Sequence, residues 1–78
     1  MKVKLLYYGM ISELFGKNEE EIEQSFRNIK ELKSMLIDIK PKLKELSFIF
    51  AVNNEIVEEF EGIKNGDIIA LLPPFAGG

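Results

Sequence analysis

The sequence predicts a single α+β domain in which one long helix packs on one face of a mixed β-sheet. The chain has 78 residues, which leaves room for only one hydrophobic core. Its composition is that of an ordinary globular protein, with 46% hydrophobic and 29% charged residues. Its apolar residues follow the two-residue period of strands near both ends of the chain and the helical period in the middle.

The first element is predicted to be a strand over residues 2–8, because Val3, Leu5 and Tyr7 fall on one face of an alternating pattern. A short helix follows over residues 10–15, where apolar side chains recur at helical spacing. A glycine comes directly after each of these two elements, as is typical where a strand or helix ends.

A second strand is predicted where Ile22, Gln24 and Phe26 alternate with polar residues up to residue 27. It follows a run of three glutamates at residues 19–21. Such a run could bind Ca²⁺ or Mg²⁺. A solvated edge is the simpler interpretation, and we expect no metal site.

The long helix is predicted to begin after Asn28, because an Asn cap followed by Glu31 three residues later resembles a capping box. One apolar stripe then follows at helical spacing, formed by Ile29, Leu32, Met35, Leu36 and Ile39. Ile37 lies off this stripe. Pro41 disfavours helical conformation at the residue before it, so we expect the helix to end there.

The second half of the chain is predicted to form strands. Residues 48–52 are apolar throughout, as in a strand that is buried on both faces. The turn Asn53-Asn54 tolerates positive φ and returns the chain as a short strand over residues 55–57. The following loop should place an apolar anchor in the core, from the set Phe60, Gly62 and Ile63. An Asn65-Gly66 turn then leads into the last strand, residues 68–72.

This order of elements favours the β-grasp arrangement, a five-stranded mixed sheet with one main helix and with the first and last strands parallel at its centre. Residues 1–78 would form one domain with a flexible C-terminal tail over residues 73–78. Strand alternation then turns Tyr8 and Leu72 away from the helix, and Ile56 could join them. We expect these three side chains to form an apolar patch that binds a partner.

Cysteine and histidine are both absent. Their absence excludes disulfides, thiolate nucleophiles, zinc sites with Cys or His ligands, and triads that use either residue. The chain is therefore more suited to carrying, binding or bridging something than to catalysis on its own.

The net charge of −3 is unevenly distributed, because residues 45–78 hold six acidic side chains and one basic side chain. An acidic half disfavours nucleic-acid binding and favours a basic protein partner. Four glutamates near the hairpin and its following loop could steer that partner, or could simply form a solvated face: Glu55, Glu58, Glu59 and Glu61. No apolar run approaches the ~20 residues of a membrane span, and no signal-peptide pattern is present, so we expect a cytoplasmic protein with no membrane association.

The tail carries the strongest functional signal. Pro73-Pro74 stiffens its exit from the sheet, Phe75 and Ala76 extend it, and Gly77-Gly78 forms its tip. Residues 73–78 could project about 20 Å. Glycine has no Cβ, so the tip could enter a narrow channel in a partner enzyme. The partner would meet a terminal carboxylate there, which is the arrangement expected of a carrier.

Residues 51–55 (Ala-Val-Asn-Asn-Glu) and 65–78 (ending Pro-Pro-Phe-Ala-Gly-Gly) resemble the small-subunit family of molybdopterin synthase. That family typically shows an Ala-Val-Asn strand end, a Gly-Asp turn and a Pro-Pro-x-x-Gly-Gly ending. The similarity spans the whole chain and implies a ubiquitin-like β-grasp fold. One position departs from the pattern, since Ser12 precedes Glu13 where the family often has arginine.

The resemblance implies sulfur transfer. An ATP-using adenylyltransferase similar to ubiquitin-activating enzymes would adenylate the Gly78 carboxylate, and a sulfur donor would then displace AMP and leave a thiocarboxylate. The slim Gly77-Gly78 tip would deliver this sulfur to the pterin precursor bound by the large subunit of molybdopterin synthase, for molybdenum cofactor biosynthesis. The chain would then be a non-catalytic, sulfur-donating subunit that binds no cofactor, since its partner uses the ATP.

Other functions remain open. The sulfur carrier of the thiamine pathway and other small sulfur carriers also end in Gly-Gly, although they usually lack the Pro73-Pro74 pair. A ubiquitin-like modifier joined to lysines of target proteins would use the same tail. The simplest alternative is a binding domain whose Gly-Gly ending has no function.

Overall fold

The structure is a computed structural model that describes residues 1–74. Its elements follow in the order β1 (Lys2–Tyr7), α1 (Met10–Phe15), β2 (Glu19–Glu23), α2 (Ile29–Ile39), a 3₁₀ helix (Pro41–Glu45), β3 (Ile49–Val52), β4 (Glu55–Val57) and β5 (Ile68–Leu72). The strands form one sheet in the order β2-β1-β5-β3-β4. The predicted five-stranded sheet with one main helix is therefore confirmed.

The first and last strands pair in parallel inside the sheet. Their register runs from Lys4 opposite Ile68 to Tyr7 opposite Leu71. The other neighbouring strands pair antiparallel. Because β1 and β5 run in the same direction, their carboxyl ends lie at the same end of the sheet, and this places the start of the tail.

The core lies between one face of the sheet and α2. The sheet contributes alternate side chains of the paired strands β1 and β5, namely Val3, Leu5, Tyr7, Ile69 and Leu71. The helix contributes Ile29, Leu32 and Leu36. Burial of each side chain of this size stabilises the fold by about 1.5–3 kcal/mol. The alternation that we predicted for β1 and β5 therefore determines which face of the sheet packs against α2.

The N-terminus of α2 is capped as predicted. The Glu31 N–H donates to Asn28 Oδ1 at 3.0 Å, and the Arg27 N–H donates to Glu31 Oε1 at 2.7 Å. The first bond satisfies a backbone donor that the first helical turn leaves without a partner, and the second engages the N–H of the residue before the cap.

The end of the α2 stripe differs from the prediction. Ile39 is 57% exposed, whereas Ile37 packs against the core. After Pro41 the chain forms a 3₁₀ helix whose Leu43 is fully buried. This segment covers the side of α2 that carries Ile37, and nothing in the described part of the chain covers Ile39 to the same extent.

The second strand is also shifted from the prediction, because it is formed by the glutamate run. It pairs antiparallel with β1, from Leu6 opposite Glu19 to Lys2 opposite Glu23, and so it ends where β1 begins. The predicted extension to residue 27 is wrong. Phe26 leaves the sheet and is buried in the core.

The glutamate run forms a paired strand, and two of its carboxylates have partners. Glu19 lies 3.2 Å from Lys4 Nζ, and Glu20 accepts a hydrogen bond from the Tyr7 hydroxyl. Within residues 1–74, no group of three acidic side chains is placed to hold a metal ion. The same part of the chain has no helix with the length and apolar content needed to cross a membrane.

The strand over residues 48–52 is confirmed as β3, one residue shorter, with Phe50 and Ala51 buried on opposite faces. In the loop after β4, Ile63 is the core anchor, whereas Phe60 is exposed. Phe60 therefore contributes nothing to the core of the domain.

A partly buried polar contact joins the β3–β4 turn to the start of β5. Asn53 and Asn54 have φ of 50° and 73°, as the predicted turn requires. The Asn53 amide donates to Asp67 Oδ1 at 3.0 Å and accepts from the Ile68 N–H at 3.0 Å. The Lys64 N–H donates to Asp67 Oδ2 at 2.8 Å. We call Asn53 and Asp67 the Asn–Asp clamp.

Replacing Asp67 with alanine should lower the free energy of unfolding by about 1–3 kcal/mol, because two partly buried hydrogen bonds lose their acceptor. Urea denaturation followed by circular dichroism measures this change. The matched control is Asp38→Ala on the exposed surface of α2, which should change stability by at most about 0.5 kcal/mol. Equal stability of the two variants would show that the clamp does not stabilise the fold.

Candidate functional site at the outer sheet face and the tail base

The tail begins at the middle of the sheet rather than at an edge. β5 is the third of the five strands, and Pro73 and Pro74 follow it at an exposed position. Tyr7 lies opposite Leu71. The next residue of each segment, Tyr8 and Leu72, therefore lies at the same end of the sheet. We call Pro73 and Pro74 the tail base.

The outer face of the sheet, which is the face turned away from α2, carries a row of apolar side chains. Across the strands, Leu6 lies opposite Ala70, Ala70 opposite Ala51, and Ala51 opposite Ile56. In the next row, Ile49 lies opposite Leu72. The apolar surface therefore continues from the β4 edge of the sheet to the tail base.

The three residues predicted to form a patch all lie on this outer face. Tyr8 is 45% exposed, Ile56 is 70% exposed and Leu72 is half-buried. Tyr8 and Leu72 are neighbours beside the tail base, whereas Ile56 lies two strands away from β5. Ile68, which we did not predict as a site residue, is also exposed on the same face of β5. Contiguous apolar surface of this kind is typical of sites that bind other proteins.

The turn after β1 lies beside the tail base. Gly9 has φ 58° and ψ −134°, a backbone conformation that residues with a Cβ atom rarely adopt. A Cβ atom on Gly9 would lie 3.5 Å from the Pro73 Cγ. The sequence alone marks Gly9 only as the end of a strand, because its proximity to Pro73 joins residues from opposite ends of the chain.

A buried tyrosine stabilises the same end of the sheet. The Tyr7 ring stacks on Phe15 of α1, with ring centres 4.4 Å apart and planes only 2° from parallel. Burial raises the pKa of the Tyr7 phenol, and the hydrogen bond to Glu20 and its negative charge raise it further. The hydroxyl therefore stays neutral and donates to Glu20 of β2, while the ring packs on α1. Tyr7 thus holds both α1 and β2 against β1.

The remaining predicted tail residues are Phe75, Ala76, Gly77 and Gly78, and they lie outside the described residues. The described part of the site is thus an apolar surface and a proline-containing exit. It can dock a protein and orient a peptide.

These features define a ubiquitin-like β-grasp domain whose C-terminal segment leaves from the central strands. The family model described as the ThiS family matches residues 5–78. The chain belongs to the ThiS family.

Individual relatives agree with this assignment. The chain is 32% identical over 83 residues to the molybdopterin synthase sulfur carrier subunit of Chlamydomonas reinhardtii, covering 100% of both chains. It is similar to the structure of molybdopterin converting factor subunit 1 from Pyrococcus furiosus, with a TM-score of 0.86, 29% identity, and 96% and 99% of the two chains covered. It is also similar to a chain in the complex of subunits 1 and 2 of the molybdopterin-converting factor from Helicobacter pylori, with a TM-score of 0.72, 30% identity and 100% of both chains covered. The resemblance predicted from residues 51–55 and 65–78 is thus confirmed.

Replacing Gly9 with alanine should lower the free energy of unfolding by about 1–3 kcal/mol, because an alanine there is held in a strained backbone region. Urea denaturation measures the change. Gly62→Ala is the matched control, since Gly62 does not have a positive φ and its added Cβ would lie 3.8 Å from the nearest atom, the Arg27 carbonyl oxygen. A Gly9→Ala variant as stable as the control would mean that the turn relaxes easily and does not fix the tail base.

Proposed function

We propose that this chain is the sulfur carrier subunit of a molybdopterin synthase. The observation that carries the proposal is the full-length match to a sulfur carrier subunit at 32% identity, which covers 100% of both chains. The proposed reactive group is the Gly78 carboxylate, approached through Gly77, and the proposed role is to deliver sulfur to a pterin precursor during molybdenum cofactor biosynthesis.

The absence of cysteine supports a terminal thiocarboxylate as the sulfur-carrying group. The chain has no thiol on which a persulfide could be held. A carboxylate is unreactive toward nucleophiles because it is an anion without a leaving group. Attack of one carboxylate oxygen on ATP would form an acyl-adenylate and release pyrophosphate. Sulfur at the oxidation level of hydrosulfide would then displace AMP and leave the thiocarboxylate.

The geometry of the tail base supports delivery into a separate active site. The two prolines leave the centre of the sheet and restrict the chain direction where it departs. Phe75 and Ala76 would line the approach, and the glycines would fit a channel that excludes larger side chains. A partner that binds the outer face would lie beside the point where the tail leaves the sheet.

Two partners are proposed. The first is the large subunit of the synthase, supported by the Helicobacter pylori relative, whose structure is a complex of subunits 1 and 2. The second is an adenylyltransferase of the ubiquitin-activating type that uses ATP. Because activation consumes ATP, we place the proposed cycle in the cytoplasm. The chain itself would bind no cofactor in this scheme.

The outer face is the proposed docking surface for the large subunit. Tyr8 and Leu72 lie next to the tail base, so a partner that covers them also receives the tail. Ile56 extends the same surface toward β4 and is mostly exposed. Large apolar side chains at the centre of an interface commonly supply most of its binding energy.

Deleting Gly78 should abolish ATP–pyrophosphate exchange with the activating enzyme, because the carboxylate would then lie one residue short of the reacting position. It should also abolish the replacement of one oxygen by sulfur in the intact mass of protein isolated from its native host. The urea midpoint should not change, since the tail lies beyond the last strand. Continued exchange by the truncated chain would refute the carrier function.

Tyr8→Asp and Leu72→Asp should each weaken binding to the large subunit by about 2 kcal/mol or more, because a charge would be buried in an apolar contact. Isothermal titration calorimetry measures the affinity. Ile39→Asp is the matched control, because Ile39 is an exposed isoleucine on α2, on the other side of the sheet. Equal affinities for all three variants would mean that the outer face does not bind this partner.

A further inference from the structure

A groove of about 800 Å³ lies beside the β3–β4 hairpin, at the edge of the sheet that β4 forms. Ile56, Val57 and Phe60 are among its lining residues. Phe60 is 77% exposed and Ile56 is 70% exposed, and they are the two most exposed large apolar side chains in residues 1–74. Two such side chains beside one concavity mark a place where another molecule can bury apolar area.

Phe60 has no evident role in the fold itself. Ile63 anchors the loop in the core, and Lys30 Nζ lies 5.8 Å from the centre of the exposed Phe60 ring. The sequence nevertheless has a large aromatic residue at a position where the isolated domain exposes most of it. An aromatic ring on the surface is typical of protein interfaces, where such side chains are enriched.

The rim of the groove is mainly acidic, although Lys64 also lines it. Glu55, Glu58 and Glu61 line it, and none of them makes an ion pair or a side-chain hydrogen bond with another residue of the described chain. Glu59 differs from them, because it lies 3.3 Å from Lys33 Nζ on the α2 side. The four glutamates that we grouped in the sequence are therefore divided by the fold into three that face the groove and one that does not.

We propose that this groove receives a basic segment of the synthase large subunit, with an apolar side chain between Ile56 and Phe60 and with Lys or Arg side chains at the three rim glutamates. The inference rests on the proposed function and names a second contact beyond the outer face. The two surfaces share Ile56, so one partner can cover both. A second copy of this chain is a poor occupant because it has a net charge of −3, and nucleic acid is repelled by the same rim.

The charged rim and the apolar lining should act on different kinetic steps. Exposed charges attract an oppositely charged partner before contact and so raise the association rate, and salt screens this effect. Apolar contacts form only after docking and mainly set the dissociation rate. Stopped-flow association and dissociation with the purified large subunit from the same organism therefore tests the rim and the lining separately.

The rim is tested with the double variant Glu58→Lys/Glu61→Lys. Its association rate at low salt should fall about tenfold, and the salt dependence of that rate should flatten. The control is Asp38→Lys/Glu45→Lys, which changes the net charge equally at exposed positions on α2 and the 3₁₀ helix. The association rate of the control should fall by less than about twofold, since its substituted charges lie away from the proposed contact.

The lining is tested with Phe60→Ala, which should raise the dissociation rate at least about tenfold. The control is Ile39→Ala, at an exposed apolar residue on α2, and it should leave that rate unchanged.

If the rim and lining variants behave like their controls while the wild-type chain binds, the groove proposal is wrong and the proposed function stands. If the wild-type chain does not bind the large subunit, the proposed function fails. Loss of binding only to the activating enzyme would overturn the assignment of this groove to the large subunit.

Discussion

The parallel pairing of β1 with β5 is the constraint on which the rest of the structure depends. It joins residues as far apart as Lys4 and Ile68, so nearly the whole chain forms the connection between these two strands. Closing so long a loop costs conformational entropy, and that cost is offset by the burial of side chains on both strands against α2. The same pairing places the two strand ends side by side, so the tail leaves from the interior of the sheet.

The alternation of side chains along these two strands gives the sheet two different faces. One face is covered by α2, and its residues are buried. The other face is also largely apolar, yet no element within residues 1–74 packs over Tyr8 or Ile56. A domain of this size has only one long helix with which to cover a sheet, so an apolar second face is available for a partner. The tail base at one end of that face links docking to delivery of the tail.

Several residues that look functional in the sequence have a structural role. Asn53 and Asp67 belong to the segments that most resemble the small subunits of molybdopterin synthase, and the structure shows that they bind each other and the backbone of β5. They hold the hairpin against the central strand. By contrast, Phe60 belongs to a stretch with no evident motif, and it forms the most exposed apolar surface in the described chain. Similarity to a family therefore indicates residues that a fold requires as well as residues that a partner requires.

The sequence by itself determined the element order, the α2 cap at Asn28, the phase of β1 and β5, and the resemblance in residues 65–78. These features depend on local periodicity, on single-residue backbone preferences and on a contiguous motif. Only the tertiary structure decided which of Ile37 and Ile39 is covered, because that depends on where the 3₁₀ helix folds back. It also decided the bounds of β2, since a strand ends where its neighbour provides no further hydrogen-bonding partners. The proximity of Gly9 to Pro73 and the division of the glutamates around Phe60 likewise join segments distant in sequence, and no local pattern determines which distant segments meet.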